Sequence, residues 1–495
     1  MNYFKISKFF LYLTPFAIIL ITPSTLFPFI VGKYVWFRTS VDLALIFFLL
    51  GVLLDNYRVN ELKLYENLSK LIRNPLAIAV TLFAAMFVLA GFFGVDPANS
   101  FWSNFERGEG GLQIIHLWLF FLLSLFLLKN NKDWHKLLWL FIAAGVFMVF
   151  YGFGAGLKYV DAEWTTVTQN GNPVQMLSGK GGVLYQTFKG FIGPQFGERF
   201  HGTLGNPAYV ATFSIFLLFY AAYLYFANYY KKPFSWQSIL FYVLGILFLI
   251  VFWLAATRGA FMGLIATIMA FLFYFIYGKK AYRKWLFLII ALIILTVGAM
   301  IYFKDNRLVK SLPGSRLFDI SLKAETWEHR TYMWNMAWQG FKERPLLGWG
   351  PENYINVFDR HFDTRYFSLS AGFGAWFDRA HSIYFDYLVE TGILGLLSFI
   401  GIWAVFYWNS LKSLINNNLQ IIVQNYRQKR DDNEDIFNSR GLLIQRALIF
   451  ALPISYLVQG IVLFDILPIY INVFMFLAFA TYKFEISNTK NETIN

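Results

Sequence analysis

The sequence contains no cysteine. That absence excludes disulfides, thiolate zinc sites and a cysteine nucleophile, and leaves the redox compartment open. Charge is scarce as well. Only 14% of the residues are Asp, Glu, Lys or Arg, against about 25% in an ordinary soluble chain. Internal repeats and low-complexity segments are missing. The first apolar run has no small-x-small cleavage site and is followed by further runs, so it reads as a retained span and not as a signal peptide.

Apolar residues fill the space. Hydrophobic side chains make up 57% of the 495 residues, and 57 of them are Phe. About twelve apolar runs approach the 20 residues that cross a bilayer: 9–31, 40–55, 76–94, 112–129, 135–157, 208–228, 237–256, 259–277, 285–303, 382–408, 442–463 and 466–482. The run 40–55 is short, and 466–482 is interrupted by Pro468. The expected class is an all-α polytopic membrane protein of about twelve transmembrane helices, with a long extracytoplasmic loop containing short amphipathic helices. The net charge of +13 then reflects basic anchoring loops and not nucleic-acid binding.

The basic residues set a topology. Lys5 and Lys8 precede the first run, Arg58, Lys63, Lys70 and Arg73 follow the second, and Lys129, Lys132 and Lys136 follow the fourth. Lys231 and Lys232, then Lys279, Lys280, Arg283 and Lys284, then the basic loop 409–441 continue the alternation. All fall on one face, which the positive-inside rule makes cytoplasmic. The expected organisation is nine spans over 1–303 with extracytoplasmic loops 95–111 and 158–207, a large extracytoplasmic loop over 304–381, and three spans over 382–495. The acidic run "DDNED" at 431–435 lies on the cytoplasmic face and reads as a solvated loop. A loop of nearly 80 residues is too long for a connector. It holds an amphipathic helix over Glu328–Phe341, with Met333, Met336 and Ala337 on one face and Pro345 beyond its end.

The outer boundary collects unusual ionisable residues. Glu106, Arg107 and Glu109 precede the fourth run, Arg199 and His201 the sixth, and Arg258 sits in a tight turn between the seventh and eighth. Arg330 lies on the amphipathic helix, and Asp378, Arg379 and His381 open the tenth run. With Asp378 as N-cap, His381 falls in the first helical turn, where the helix dipole favours neutral imidazole. A neutral imidazole suits a general base, and arginine forks grip phosphate oxygens. No D-x-D or similar acidic cluster on this face would hold Mg²⁺, so the pattern reads as metal-independent, without cofactor. Asp386 and Glu390 are four apart on one helix face and read as buried hydrogen-bonding residues. Gly392 and Gly395 would admit a neighbouring helix.

Four blocks carry a resemblance: "HGTLGNPAYVA" at 201–211, "TRGAFMGLI" at 257–265, the "RTYMW…PLLGWGPENY" segment of 330–354, and "AHSIYFDYLVETGILGLL" at 380–397. In that order, before and after a long loop, they resemble the O-antigen ligase and polymerase superfamily over roughly Ser100 to Gly395. The resemblance implies a bacterial inner-membrane, multi-pass glycosyltransferase that moves a glycan from an undecaprenyl diphosphate carrier to a lipid or protein acceptor outside the cytoplasm. It implies donor-diphosphate roles for Arg258 and Arg330, with Arg199 and Arg379 assisting, and a base role for His381. Asp378, Arg107 and His201 are supporting or acceptor-side candidates. Ser382 stands where the family often has Asn, and the aromatic, Gly-rich insert at 367–377 has no counterpart in the reading. A repeat-unit polymerase, an O-linking oligosaccharyltransferase and a lipid-linked sugar transporter are the alternatives. The transporter is disfavoured because its ionisable residues would sit at mid-span.

Overall fold

The fold is taken from a computed structural model. It describes residues 2–492 except 23, 26, 62, 105–106, 155, 160–162, 170–171, 179–183, 188–198, 279–282, 311–314, 319–324, 367–375 and 428–432. Glu106, most of the aromatic insert and part of the acidic run at 431–435 lie outside the described residues.

The helices in chain order are α1 (Tyr3–Leu13), α2 (Val31–Leu54), α3 (Asn56–Glu61), α4 (Leu64–Arg73), α5 (Pro75–Phe92), α6 (Pro97–Trp102), α7 (Gly111–Leu127), α8 (Asn131–Gly154) and α9 (Pro207–Asn228). They continue with α10 (Trp236–Ala255), α11 (Arg258–Gly278), α12 (Arg283–Tyr302), α13 (Arg307–Lys310), α14 (Glu325–Glu343), α15 (Tyr354–Arg360), α16 (Ile383–Arg427), α17 (Asn433–Gly460) and α18 (Leu467–Glu492). Ten of these are long and apolar enough to cross a membrane among the described residues, and α7 is a shorter apolar helix. The chain is an all-α, multi-pass membrane protein.

The N-terminal end departs from the expected spans in two places. The run expected over 9–31 splits, because α1 gives way to a 3₁₀ turn over Thr14–Ile19 with Pro15 in its first turn. Proline there removes a donor and fixes φ. The second span begins at Val31, ahead of the expected residue 40. Pro468 interrupts nothing, since it sits in the first turn of α18, where its missing N–H has no intrahelical partner to lose. Loop 158–207 holds two small antiparallel ribbons, Gly156–Tyr159 with Leu184–Thr187 and Glu163–Gln169 with Asn172–Ser178. The β-branched alternation around Val167 and the Asn170-Gly171 pair were the readable signals for the second ribbon.

Hydrogen bonds sort the loops into two ends. At one end Lys8 pairs with Asp133 at 2.9 Å, Asn74 donates to Glu485, and Lys483 donates to Asn131. At the other end Phe200 N–H donates to Leu254, Ile383 N–H to Leu463, Val95 N–H to Trp349, and Leu467 N–H to Glu109.

Small residues bring α11 onto α17. A Cβ on Gly263 would lie 2.7 Å from the Ser455 carbonyl oxygen, and one on Gly259 would lie 2.8 Å from Val462, so these backbones meet where a larger residue would hold them apart. Outside the spans, α14 runs to Glu343, and Pro345 follows it. Its Met333, Met336 and Ala337 pack with Tyr354, Val357 and Phe358 into a core of their own. Burying a methionine in such a core contributes about 1.5–3 kcal/mol.

That outer core is tied to the bundle at a break in α16. Gly392 has φ +65° inside the helix. The freed backbone groups are taken by the Pro345–Gly350 loop: Ile393 N–H donates to Pro345 at 2.8 Å, Trp349 N–H to Val389 at 2.9 Å and Gly350 N–H to Glu390 at 2.8 Å. Gly348 and Gly350 also have positive φ, and a Cβ on Gly348 would meet the Glu390 backbone at 2.5 Å. Gly392 therefore admits a loop and not a helix. The loop fixes α14, and with it Arg330, relative to the start of α16.

Candidate functional site

The site is built at the ends of α10, α11, α14, α16 and α17. Ala256 ends α10 in a left-handed conformation, φ +45°, and Arg258 opens α11 two residues later. Arg199 closes over this turn, donating through Nε to Ala255 at 3.0 Å and through Nη2 to Thr257 Oγ1 at 2.6 Å. A guanidinium on the last carbonyl of a helix satisfies a group that has no intrahelical donor. Arg330 reaches the same space from α14. Burial, and then the neighbouring Arg258 guanidinium, lower its pKa from the ordinary arginine value. The two guanidinium groups are close enough across this space to repel each other.

His381 is not in the first turn of α16, because the helix starts at Ile383. Asp378 is not its N-cap either. Its carboxylate takes a two-pronged bond from Arg107, at 2.8 and 2.9 Å. Burial opposes ionisation of Asp378, yet the Arg107 hydrogen bond holds its pKa below the usual value. The imidazole stays neutral for a different reason from the helix dipole. Burial pushes its pKa down to about 4, and the Arg330 and Arg107 charges add to the effect, against the Arg379 carbonyl and Asp378. The ring is held edge-on between Phe377 and Phe464, with centroids at 4.8 and 5.0 Å. Nδ1 lies 3.2 Å from the Arg379 carbonyl, which can only accept. That partner assigns the proton to Nδ1 and leaves Nε2 as the acceptor. The His381 backbone is left-handed, φ +58°, a conformation that costs a branched or bulky residue about 1–3 kcal/mol and concentrates at functional sites.

These side chains share one cavity of about 520 Å³, lined by Arg199, Arg258, Arg330 and His381 together with Asn206, Tyr209, Trp327, Gln459 and Phe464. A second space of about 280 Å³ adjoins it across Asn206, Tyr209 and Phe464, and takes in Lys33, Arg107 and Glu109.

Four of the residues read from the sequence, Arg379, His201, Arg107 and Asp378, do not line this cavity. Arg379 is not on the cavity wall. It is 7% exposed and turned into three carboxylates: Glu390 at 3.0 Å, Glu109 at 3.5 Å, and Glu352 in direct contact. Burial opposes its charge, but these carboxylates raise its pKa well above the ordinary arginine value. His201 is exposed, beside Phe29 and 3.4 Å from the Gly202 carbonyl. Arg107 and Asp378 form the support behind Phe464, with the Arg107 guanidinium 4.7 Å from its ring centre. Tyr209, Asn206, Trp327 and Gln459 were missed, since a tyrosine or glutamine in an apolar span gives no motif. Asn206 and Tyr209 fall inside the block "HGTLGNPAYVA", the only available pointer.

A family model described as O-antigen ligase matches residues 242–400. Over that stretch, about a third of the chain, the sequence is similar to the O-antigen ligase family. The matched stretch runs from within α10 to residue 400 of α16, past the Gly392 break, and it contains Arg258, Arg330 and His381 but not Arg199. At the level of the family, the chemistry is ligase- or polymerase-type glycosyl transfer by a membrane enzyme, from a lipid-linked glycan. No curated protein matches the chain.

Proposed function

We propose that this protein transfers a glycan from undecaprenyl diphosphate to an acceptor hydroxyl at the outer face of the bacterial cytoplasmic membrane, with inversion at the anomeric carbon. One observation carries the reading: Arg199, Arg258, Arg330 and His381, from four separate parts of the chain, line a single cavity.

Arg258 and Arg330 hold the donor diphosphate, and Arg199 braces the turn that presents Arg258 while adding its own charge. The acceptor hydroxyl attacks the anomeric carbon. A carbon–oxygen bond forms to the acceptor, and the bond from that carbon to the diphosphate oxygen breaks. The electron pair leaves with undecaprenyl diphosphate, whose developing charge the guanidinium groups stabilise. The hydroxyl proton passes to His381 Nε2. Arg379 and His201 take no part in this scheme.

The test is reconstitution in lipid vesicles with an undecaprenyl diphosphate-linked glycan and acceptor. Arg258→Ala should lower kcat about 10²–10³-fold, the usual effect of removing one preorganised charge-stabilising donor. His381→Ala should cost about 10²–10⁴-fold. Transfer within a factor of two of wild type in Arg258→Ala protein that inserts and folds normally would remove the diphosphate assignment.

A further inference from the structure

Two small spaces lie beyond the Gln459 and Phe464 wall of the reaction cavity. The reaction cavity shares Gln459, Leu463 and Phe464 with a void of about 10 Å³. That void shares Ile383, Phe464 and Asp465 with a second void, also about 10 Å³. Each has room for one water molecule, and a buried water needs two to four polar partners. The partners are present. Gln459 Oε1, Asp386 Oδ2 and Glu109 Oε2 are buried polar atoms with no hydrogen-bond partner. Their residues are 2%, 5% and 4% exposed. The Gln459 amide is oriented by its Nε2 donating to the Ala208 carbonyl at 3.2 Å, so the unsatisfied atom is an acceptor. Buried polar groups in folded proteins are nearly always satisfied, and these three border a chain of water-sized voids.

The charges around the second void do not balance. Arg379 meets Glu109, Glu352 and Glu390. Asp386 accepts from Ala380 N–H at 2.7 Å, and Asp465 from Tyr456 hydroxyl at 2.6 Å. The other groups facing this space are Tyr387 and Tyr470, whose hydroxyls are 3.2 Å apart. Arg107 is already paired with Asp378, and His381 stands on the cavity side. One guanidinium cannot neutralise this many carboxylates in a low-dielectric interior, so some of them hold protons.

We propose that this space is a binding site for ordered water and an exchangeable proton, and that it takes up the proton released in the reaction cavity. The inference of a role in transfer rests on the glycosyl-transfer reading; the occupancy of the site does not. His381 imidazolium gives its Nε2 proton to the water beside Gln459. That water passes a proton to Asp465. An N–H bond breaks at His381 and an O–H bond forms at the Asp465 carboxyl, with no other reactant. Burial pushes Asp465 up to about 7 and Glu109 up to about 8, which leaves Asp465 able to exchange near neutral pH. Asp465 is a positioning and relay residue and does not touch substrate.

The experiment is infrared spectroscopy of the full-length protein in lipid nanodiscs at pH 7, in H₂O and D₂O, alongside transfer assays with an undecaprenyl diphosphate-linked glycan. Wild type should show protonated-carboxyl absorption that shifts in D₂O. Asp465→Asn should remove part of it, lower kcat roughly tenfold with the donor KM unchanged, and displace the pH profile. Asp465→Glu, which restores the carboxyl, should recover most of the rate. Absence of protonated-carboxyl absorption in wild type overturns the site. Its presence, with an Asp465→Asn rate and pH profile equal to wild type, overturns the link to the cavity. A wild type that transfers nothing contradicts the glycosyl-transfer reading, and the infrared result still decides the proton site.

Discussion

Arg379 and His381 are two residues apart and belong to opposite environments. His381 faces a roomy cavity in which arginines gather, with no carboxylate among the described lining residues. Arg379 points the other way, into a packed space of about 10 Å³ ringed by carboxylates. Three arginines and a neutral imidazole meet on the cavity wall. The cluster behind it brings its own counter-charges and needs no ligand to be stable. On the proposed reading the same residue type is a ligand group in one place and a structural tie in the other.

The contrast is open to attack from both sides. The largest expected effect is on folding. Arg379→Ala removes the cation from three buried carboxylates and should cost about 3–5 kcal/mol, read as a large drop in melting temperature and yield in detergent. Arg258→Ala should leave melting nearly unchanged while transfer collapses. The reverse pattern, with Arg379 dispensable for folding and Arg258 essential to it, would break the comparison. Gly392→Ala comes next. Its φ of +65° and its contact with the Leu346 carbonyl put the expected cost at about 1–3 kcal/mol. The loop that seats α14 would shift, so a fall in kcat without loss of membrane insertion is expected. An unchanged melting temperature and kcat would show that the break does not position Arg330.

The smallest effect is a pH dependence. His381 titrates near 4 in the folded chain against 6.5 ordinarily. Between those values the unfolded chain binds more protons, so stability falls as pH drops from about 6.5 towards 4 and is fully present above that window. His381→Gln should flatten this part of the pH–melting curve. In activity, the acid limb of kcat/KM attributable to His381 should lie well below pH 6. A limb centred at 6.5 would mean that the imidazole is solvated.

Much of this was readable from the residues. Apolar length alone exposed the spans, because a bilayer demands about 20 apolar residues whatever surrounds them. It failed at Pro15, where a run of sufficient length changes from α-helix to a 3₁₀ turn. The cavity arginines were readable because charge at a span boundary is rare enough to notice. Arg379 shows the limit of that signal. Nothing local distinguishes it from Arg258, and only the arrival of Glu109, Glu352 and Glu390 from three other segments turns it inward. The "DRAHS" stretch looks like a helix start, with aspartate as cap, until Arg107 from 271 residues away claims the carboxylate. Long-range partners of this kind leave no trace in a single sequence.

The central claim is that Arg258, Arg330 and Arg199 receive a diphosphate beside a neutral His381. Cryo-electron microscopy of the protein in lipid nanodiscs with undecaprenyl diphosphate tests it most directly. The account predicts density for two phosphates within hydrogen-bonding distance of Arg258 and Arg330, on the His381 side of Phe464. A diphosphate bound elsewhere, with the arginine cavity left to lipid tails or solvent, would contradict it.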